Sequence, residues 1–112
     1  MSSTGDFDVQ LVPVRDRAYV VRVVGDLDMA TAPTLEDSVA SVGSASRLVI
    51  DLTQCTFLDS AAVRLLTTIA RDWDTAGTPL ALVASDPGIL RVLEITAVDD
   101  ILPVHSTLDE AL

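Results

Sequence analysis

Lysine is missing from this chain altogether: its seven basic residues are all arginine. That removes Schiff-base chemistry and the phosphate-binding lysine of a P-loop, and neither GxxxxGK[ST] nor GxGxxG occurs to cradle a nucleotide. Histidine and cysteine appear once each, as His105 and Cys55. A single cysteine excludes an internal disulfide and a thiolate metal cage, and it fits a reducing cytoplasm. A single histidine would need a nucleophile and a carboxylate brought to it from elsewhere to be catalytic, so His105 is read as a surface residue. No apolar run approaches the roughly 20 residues of a membrane span. No basic, apolar leader opens the chain, and residues 1–6 read as a short polar tail. Basic residues are few against seventeen acidic ones, and the net charge of −10 opposes nucleic acid and anionic membranes. These absences predict a soluble cytoplasmic protein that is not an enzyme, uses no cofactor or metal, and binds neutral or basic partners.

What is present is a core. The chain has 112 residues, 49% of them hydrophobic, enough for one domain over residues 7–112. Phe7 to Val14 alternates in twos, and Ala18 to Val24 is rich in β-branched residues, which reads as a hairpin turning at Arg15-Asp16-Arg17. Gly25-Asp26-Leu27-Asp28 then ends the strand. Ala32, Leu35, Val39 and Val42 follow at helical spacing, with Pro33 in the first turn and an end near Gly43.

Arg47 to Leu52 is a compact apolar run, read as a central strand covered on both faces, with a loop from Thr53 to Leu58. Ala62, Leu65, Leu66, Ile69, Ala70 and Trp73 make one apolar stripe, with Arg64, Thr67, Thr68, Arg71 and Asp72 opposite. Gly77 and Pro79 mark the end of that helix. Pro79 to Ala84 reads as another buried strand, and Ser85-Asp86-Pro87 starts a short helix carrying Leu90 and Leu93. Ile101 to Val104 reads as an edge strand, and Thr107 to Glu110 has capping-box spacing for a terminal helix. The order ββαβαβα(β)α predicts an α/β fold, with crossovers joining parallel strands.

Leu58-Asp59-Ser60-Ala61-Ala62 lies where a buried strand feeds the N-terminus of the clearest helix. One account makes Asp59 or Ser60 an N-cap, accepting from the free backbone N–H groups. The other makes Ser60 a modification site, because a phosphate there faces the positive end of the helix dipole. A serine-hydrolase elbow does not fit, since both glycines of GxSxG are absent. Asp26 and Asp28, at a strand end on the same edge of the sheet as Ser60, lie where α/β sheets place ligands, although two carboxylates alone do not make a metal site.

Together these segments resemble the STAS domain of bacterial anti-sigma-factor antagonists. Gly25-Asp26-Leu27-Asp28 with Thr31-Ala32-Pro33-Thr34-Leu35 is similar to that family's GELD…TAPxL. Leu48 to Leu52 and Phe57 to Ser60 resemble its lvlDLs…fiDSSG block, and Arg91 to Ile95 with Val98-Asp99 resembles its later helix. The resemblance implies the STAS fold, a small mixed sheet of four to five strands packed by about four helices. It also implies an antagonist that binds an anti-sigma factor, itself a serine kinase using ATP, and lets go when Ser60 is phosphorylated. A PP2C-type phosphatase would reverse the mark. Asp26, Asp28, Thr31, Asp59, Ser60, Ala61 and Arg64 are then the expected partner surface. A regulatory or scaffold subunit of a larger transporter- or stressosome-like complex is the alternative role. Where the family has DSSG or DSTG, this chain has Asp59-Ser60-Ala61-Ala62, and Ala97 stands where a glycine is usual.

Overall fold

A computed structural model describes residues 7–112; the polar tail expected over residues 1–6 lies outside them. Strands β1 (Asp8–Pro13), β2 (Ala18–Leu27), β3 (Arg47–Leu58), β4 (Leu80–Val83) and β5 (Val104–His105) form one sheet in the order β1-β2-β3-β4-β5. β1 runs antiparallel to β2 as a hairpin, and the other neighbours are parallel. Helices α1 (Ala32–Ala40), α2 (Ser60–Ala76), α3 (Pro87–Ile95) and α4 (Leu108–Ala111) supply the crossovers and the C-terminal turn. The mixed α/β architecture expected from the periodicity is the one observed.

Two layers of side chains hold the sheet. Val21, Val23, Leu48, Ile50 and Leu82 pack on Leu35 and Val39 of α1, Leu66, Ile69 and Trp73 of α2, and Ile89 and Leu93 of α3. On the opposite face Val20, Val49, Ala81 and Val83 meet Ala111 and Leu108 of α4. A sheet covered on both sides explains the unbroken apolar run at Leu48–Ile50. Within α3 the inward residues are Ile89 and Leu93, while Leu90 is 38% exposed. The last strand is shorter and later than the expected Ile101 to Val104, because Val98 and Leu102 turn into the core and leave Ile101 half exposed.

The largest departure concerns the strand ends. β2 does not stop at Gly25, and Thr53 to Leu58 is not a loop: the two strands continue side by side to Leu27 and Leu58. β4 accompanies β3 only as far as Asp51, so beyond it β2 and β3 make a two-stranded ribbon. The pairing shifts between Arg22 and Val24 and again between Gly25 and Asp26, with β3 carrying an extra residue each time. Such bulges increase twist and break the period of two. Gly25, at φ 95, takes a backbone conformation that a side chain would strain. At the root of the ribbon, Asp51 is buried; Arg22 Nε lies 3.3 Å from its carboxylate and the Thr53 hydroxyl donates to it at 2.8 Å.

Two local features carry predictions. Ala97, just past the Thr96 that caps α3, sits at φ 62 and ψ 22. An L-residue there costs about 1–2 kcal/mol, partly offset by the roughly 0.5–1 kcal/mol of chain entropy that alanine saves over glycine. Ala97→Gly is therefore expected to raise stability by about 0.5–1 kcal/mol in urea unfolding, and an unchanged or lower midpoint would refute the strain.

At the other end of the chain, Thr107 and Glu110 form the expected capping box, and Glu110 also accepts from the Ser106 hydroxyl at 3.0 Å. Hydrogen bonds from Ser106 and then Thr107 hold the Glu110 carboxyl below its ordinary 4.5. A group lowered in the folded state stabilises above its unfolded value and loses that contribution as pH falls through the folded one. The Ser106 and Thr107 amide resonances should thus titrate together with a midpoint below 4.5, and Glu110→Gln should abolish the movement.

Candidate functional site

The two-stranded ribbon carries the C-terminal ends of β2 and β3 above the rest of the sheet, and the loop into α1 and the start of α2 leave from its tip. The last rung is a bond from the Asp59 N–H to the Leu27 carbonyl, 3.3 Å. Asp59 is the N-cap of α2: one carboxylate oxygen accepts from the Ala62 N–H at 2.9 Å. Its other oxygen accepts from the Met29 N–H at 3.0 Å. One side chain therefore ties the β2–α1 loop to the start of α2 and aims both at the same edge.

The loop itself is organised by its own polar groups. Asp28 accepts from the backbone N–H of Ala30 at 3.0 Å and of Thr31 at 3.1 Å. The Thr31 hydroxyl donates to the Asp26 carbonyl at 2.8 Å and accepts from the Asp28 N–H at 2.9 Å. Asp26, on the last turn of the ribbon, accepts from the Thr56 hydroxyl of β3.

Of the expected surface residues, Asp26, Ser60 and Arg64 are exposed, while Asp28, Thr31, Asp59 and Ala61 are half-buried. The structure brings Asp26, Asp28, Thr31, Asp59, Ser60 and Ala61 to one end of the ribbon. Arg64 lies one helical turn further along α2, four residues from Ser60 and on the same side of the helix. Asp28 and Thr31 spend their polar atoms on the loop, so their part is to shape it. Ser60 is the first residue of α2, not its cap; Asp59 holds that position.

Two large apolar side chains at this edge were not singled out from the sequence. Met29 is 77% exposed in the loop that Asp59 grips, and Phe57 is 50% exposed on the ribbon opposite Asp26. Both stand at the same end of the ribbon as Asp26 and Asp59. Phe57 follows Cys55 at strand spacing and would point inward were the ribbon not bulged. Met29 carries no periodic signal at all; only its exposure reveals it.

The remaining singled-out residues are structural. Cys55 is buried in β3, its thiol donates to the Phe57 carbonyl at 3.3 Å, and burial pushes its titration above the ordinary thiol value. Such a thiol is protonated and unreactive at neutral pH. Trp73 is core, and His105 is half-buried in β5, where its carbonyl accepts from Ala84.

Residues 10–111 match the STAS domain family. The anti-sigma-F factor antagonist RsfA of Mycobacterium tuberculosis is 30% identical over 101 residues, covering 87% of this chain and 79% of that protein. The crystal structure of an anti-sigma factor antagonist from Mycobacterium paratuberculosis superposes with a TM-score of 0.84 at 29% identity, over 99% of this chain and 95% of that one. The phosphorylated form of the Bacillus cell fate determinant SpoIIAA shares the fold, with a TM-score of 0.72 at 20% identity over 93% of this chain and 96% of its own.

Proposed function

The chain belongs to the STAS domain family, and on that premise we propose that it is an anti-sigma factor antagonist: a cytoplasmic binding protein that engages a kinase-type anti-sigma factor while Ser60 is unmodified and releases it when Ser60 is phosphorylated. The observation that carries this reading is the pair of hydrogen bonds accepted by Asp59, which holds the Met29 loop against the start of α2, where Ser60 is exposed as the first residue of the helix. A hydroxyl on the first residue of a helix is open to a kinase. A phosphate placed there meets the positive end of the helix dipole, so the fold accommodates the charge and the change acts at the surface. Met29 and Phe57 supply apolar contact area at the same end of the ribbon, and the exposed Asp26 carboxylate lies at its rim.

The relatives favour the same role, since RsfA and the paratuberculosis protein are both antagonists of anti-sigma factors. SpoIIAA, on the same fold, exists in a phosphorylated form. The test is incubation of the full chain with its cognate anti-sigma kinase and ATP. One added phosphate that maps to Ser60 and is absent from Ser60→Ala supports the switch. Modification elsewhere, or stable binding with none, removes the switch; capture of transporter or stressosome components with no kinase moves the protein to a scaffold role. A PP2C-type phosphatase restoring binding completes the cycle.

A further inference from the structure

The outer edge of β1 is a second surface, unrelated to Ser60. The Val14 N–H donates to the Ala18 carbonyl at 2.8 Å, which sets the phase of the β1–β2 ladder. By the alternation of an antiparallel pair, Val12, Gln10 and Asp8 exchange their bonds with β2, and the N–H and C=O groups of Val9 and Leu11 point away from it. Pro13, which has no N–H to offer, falls in the outward set, where proline is tolerated. Among the described residues no other strand lies on that side.

Edges of this length are usually blunted by lysine, proline, a bulge or an inward charge. β1 has proline only at its last residue, Pro13, which leaves the outward groups of Val9 and Leu11 open, and its one charged side chain is Asp8, whose carboxylate takes the Gln10 amide at 3.3 Å. Leu11 and Val12 are 40% and 37% exposed on its two faces. In a chain of net charge −10, this strip is close to neutral, and the adjoining turn adds Arg15 and Arg17 against Asp16.

We propose that β1 pairs antiparallel with β1 of a second copy of this chain, about a two-fold axis at Gln10. That register sets Val9 opposite Leu11 of the second copy and the reverse, so all four outward amide groups of the two strands find partners. Val9 and Leu11 lie on the helix side of the sheet, across from Val23 and Val21, so the pairing extends the core between copies and covers Leu11. In the same register Asp8 faces Val12 of the second copy and Gln10 faces Gln10, so no like charges meet between the paired strand residues. The far edge, β5, has two residues directly after Pro103 and cannot template a strand, so association closes at a dimer rather than growing into fibres. Ser60 follows β3, two strands in from the joint, and stays open.

One strand pair buries less than the roughly 1,200–2,000 Å² of a stable interface, so the dimer is weak, forming between about 10 µM and about 1 mM. The test is residue-resolved amide exchange on the full chain across that range, with sedimentation alongside. The Val9 and Leu11 amides should become protected as concentration rises, while Gln10 and Val12 are protected throughout. Leu11→Lys should abolish the concentration dependence and leave Gln10 and Val12 protected; Leu11→Pro, which removes an outward N–H alone, should do the same. A protein that stays monomeric to about 1 mM, or a dimer that survives both changes with Val9 and Leu11 exchanging freely, would overturn the proposal.

Discussion

Ser60→Asp is expected to weaken binding of the anti-sigma partner at least tenfold, and phosphorylation of Ser60 about a hundredfold. Phosphate adds roughly −1.5 to −2 charges. At about 6 Å from an acidic partner group and an effective dielectric near 20, each unit of charge is repelled by roughly 3 kcal/mol, and screening by solvent at this exposed site cuts the total for phosphate to roughly 3 kcal/mol, about a hundredfold in affinity. Aspartate carries a single charge on a shorter arm, and solvent at this exposed site screens it, hence the smaller figure.

The protein itself should not be destabilised by either change. The added charge sits at the first turn of a helix, where anions gain about 0.3–1 kcal/mol, and Arg64 lies four residues on, at the spacing of a helical ion pair. Titration calorimetry of wild type, Ser60→Asp and the phosphoprotein, with thermal melts of each, separates the two effects. Affinity lost together with melting temperature would mean that the substitution disrupts the fold, and unchanged affinity would end the switch.

The two alanines after Ser60 acquire a physical meaning in the structure. Ala62 is fully buried and gives its N–H to Asp59. Its methyl group occupies core space that a glycine would leave empty, and alanine is worth up to about 1 kcal/mol more than glycine within a helix. Alanine at this position therefore favours the helical start of α2 over the freer backbone that glycine would allow.

How far this was legible differs from element to element. Helix α2 announced itself because its apolar stripe, its N-cap aspartate and its C-terminal glycine, at φ 76, all agree. The β2–β3 ribbon did not, because reading strands relies on a period of two that holds only where the ladder is regular. With two bulges in β3, the buried residues Leu52, Cys55 and Leu58 recur every third position, and exposed Thr53 and Gln54 look like the start of a loop. The candidate site was half visible for the same reason. Asp59 and Ser60 are local features of a helix start, whereas the bond from Met29 to Asp59 spans 30 residues and depends on the ribbon bringing the two segments level. Met29 and Phe57 are exposed because of that geometry, and no pattern along the chain encodes it.

That bond makes Asp59 the residue whose loss should cost most at this edge. Asp59→Ala removes the N-cap of α2, worth about 0.5–2 kcal/mol. It also frees the Met29 N–H from a charged acceptor, a bond at the low end of about 1.5–3 kcal/mol because the group is half-exposed. A loss of about 2–3 kcal/mol follows, which lowers the melting temperature of a domain this size by about 10 °C or more. Asp59→Asn keeps one carbonyl oxygen and should lose about half as much, since a single oxygen cannot serve Ala62 and Met29 on opposite sides. Ser60→Ala should leave stability unchanged. The Met29 and Ala30 amides report the tether directly: in Asp59→Ala their exchange should accelerate far more than that of the Leu27 amide in β2. If they keep their wild-type rates while the protein loses stability, Asp59 is only a helix cap and the loop is held by Asp28 and Thr31 alone. If they are released and partner affinity falls with them, the contact surface of Met29 depends on the same carboxylate that sets the position of Ser60.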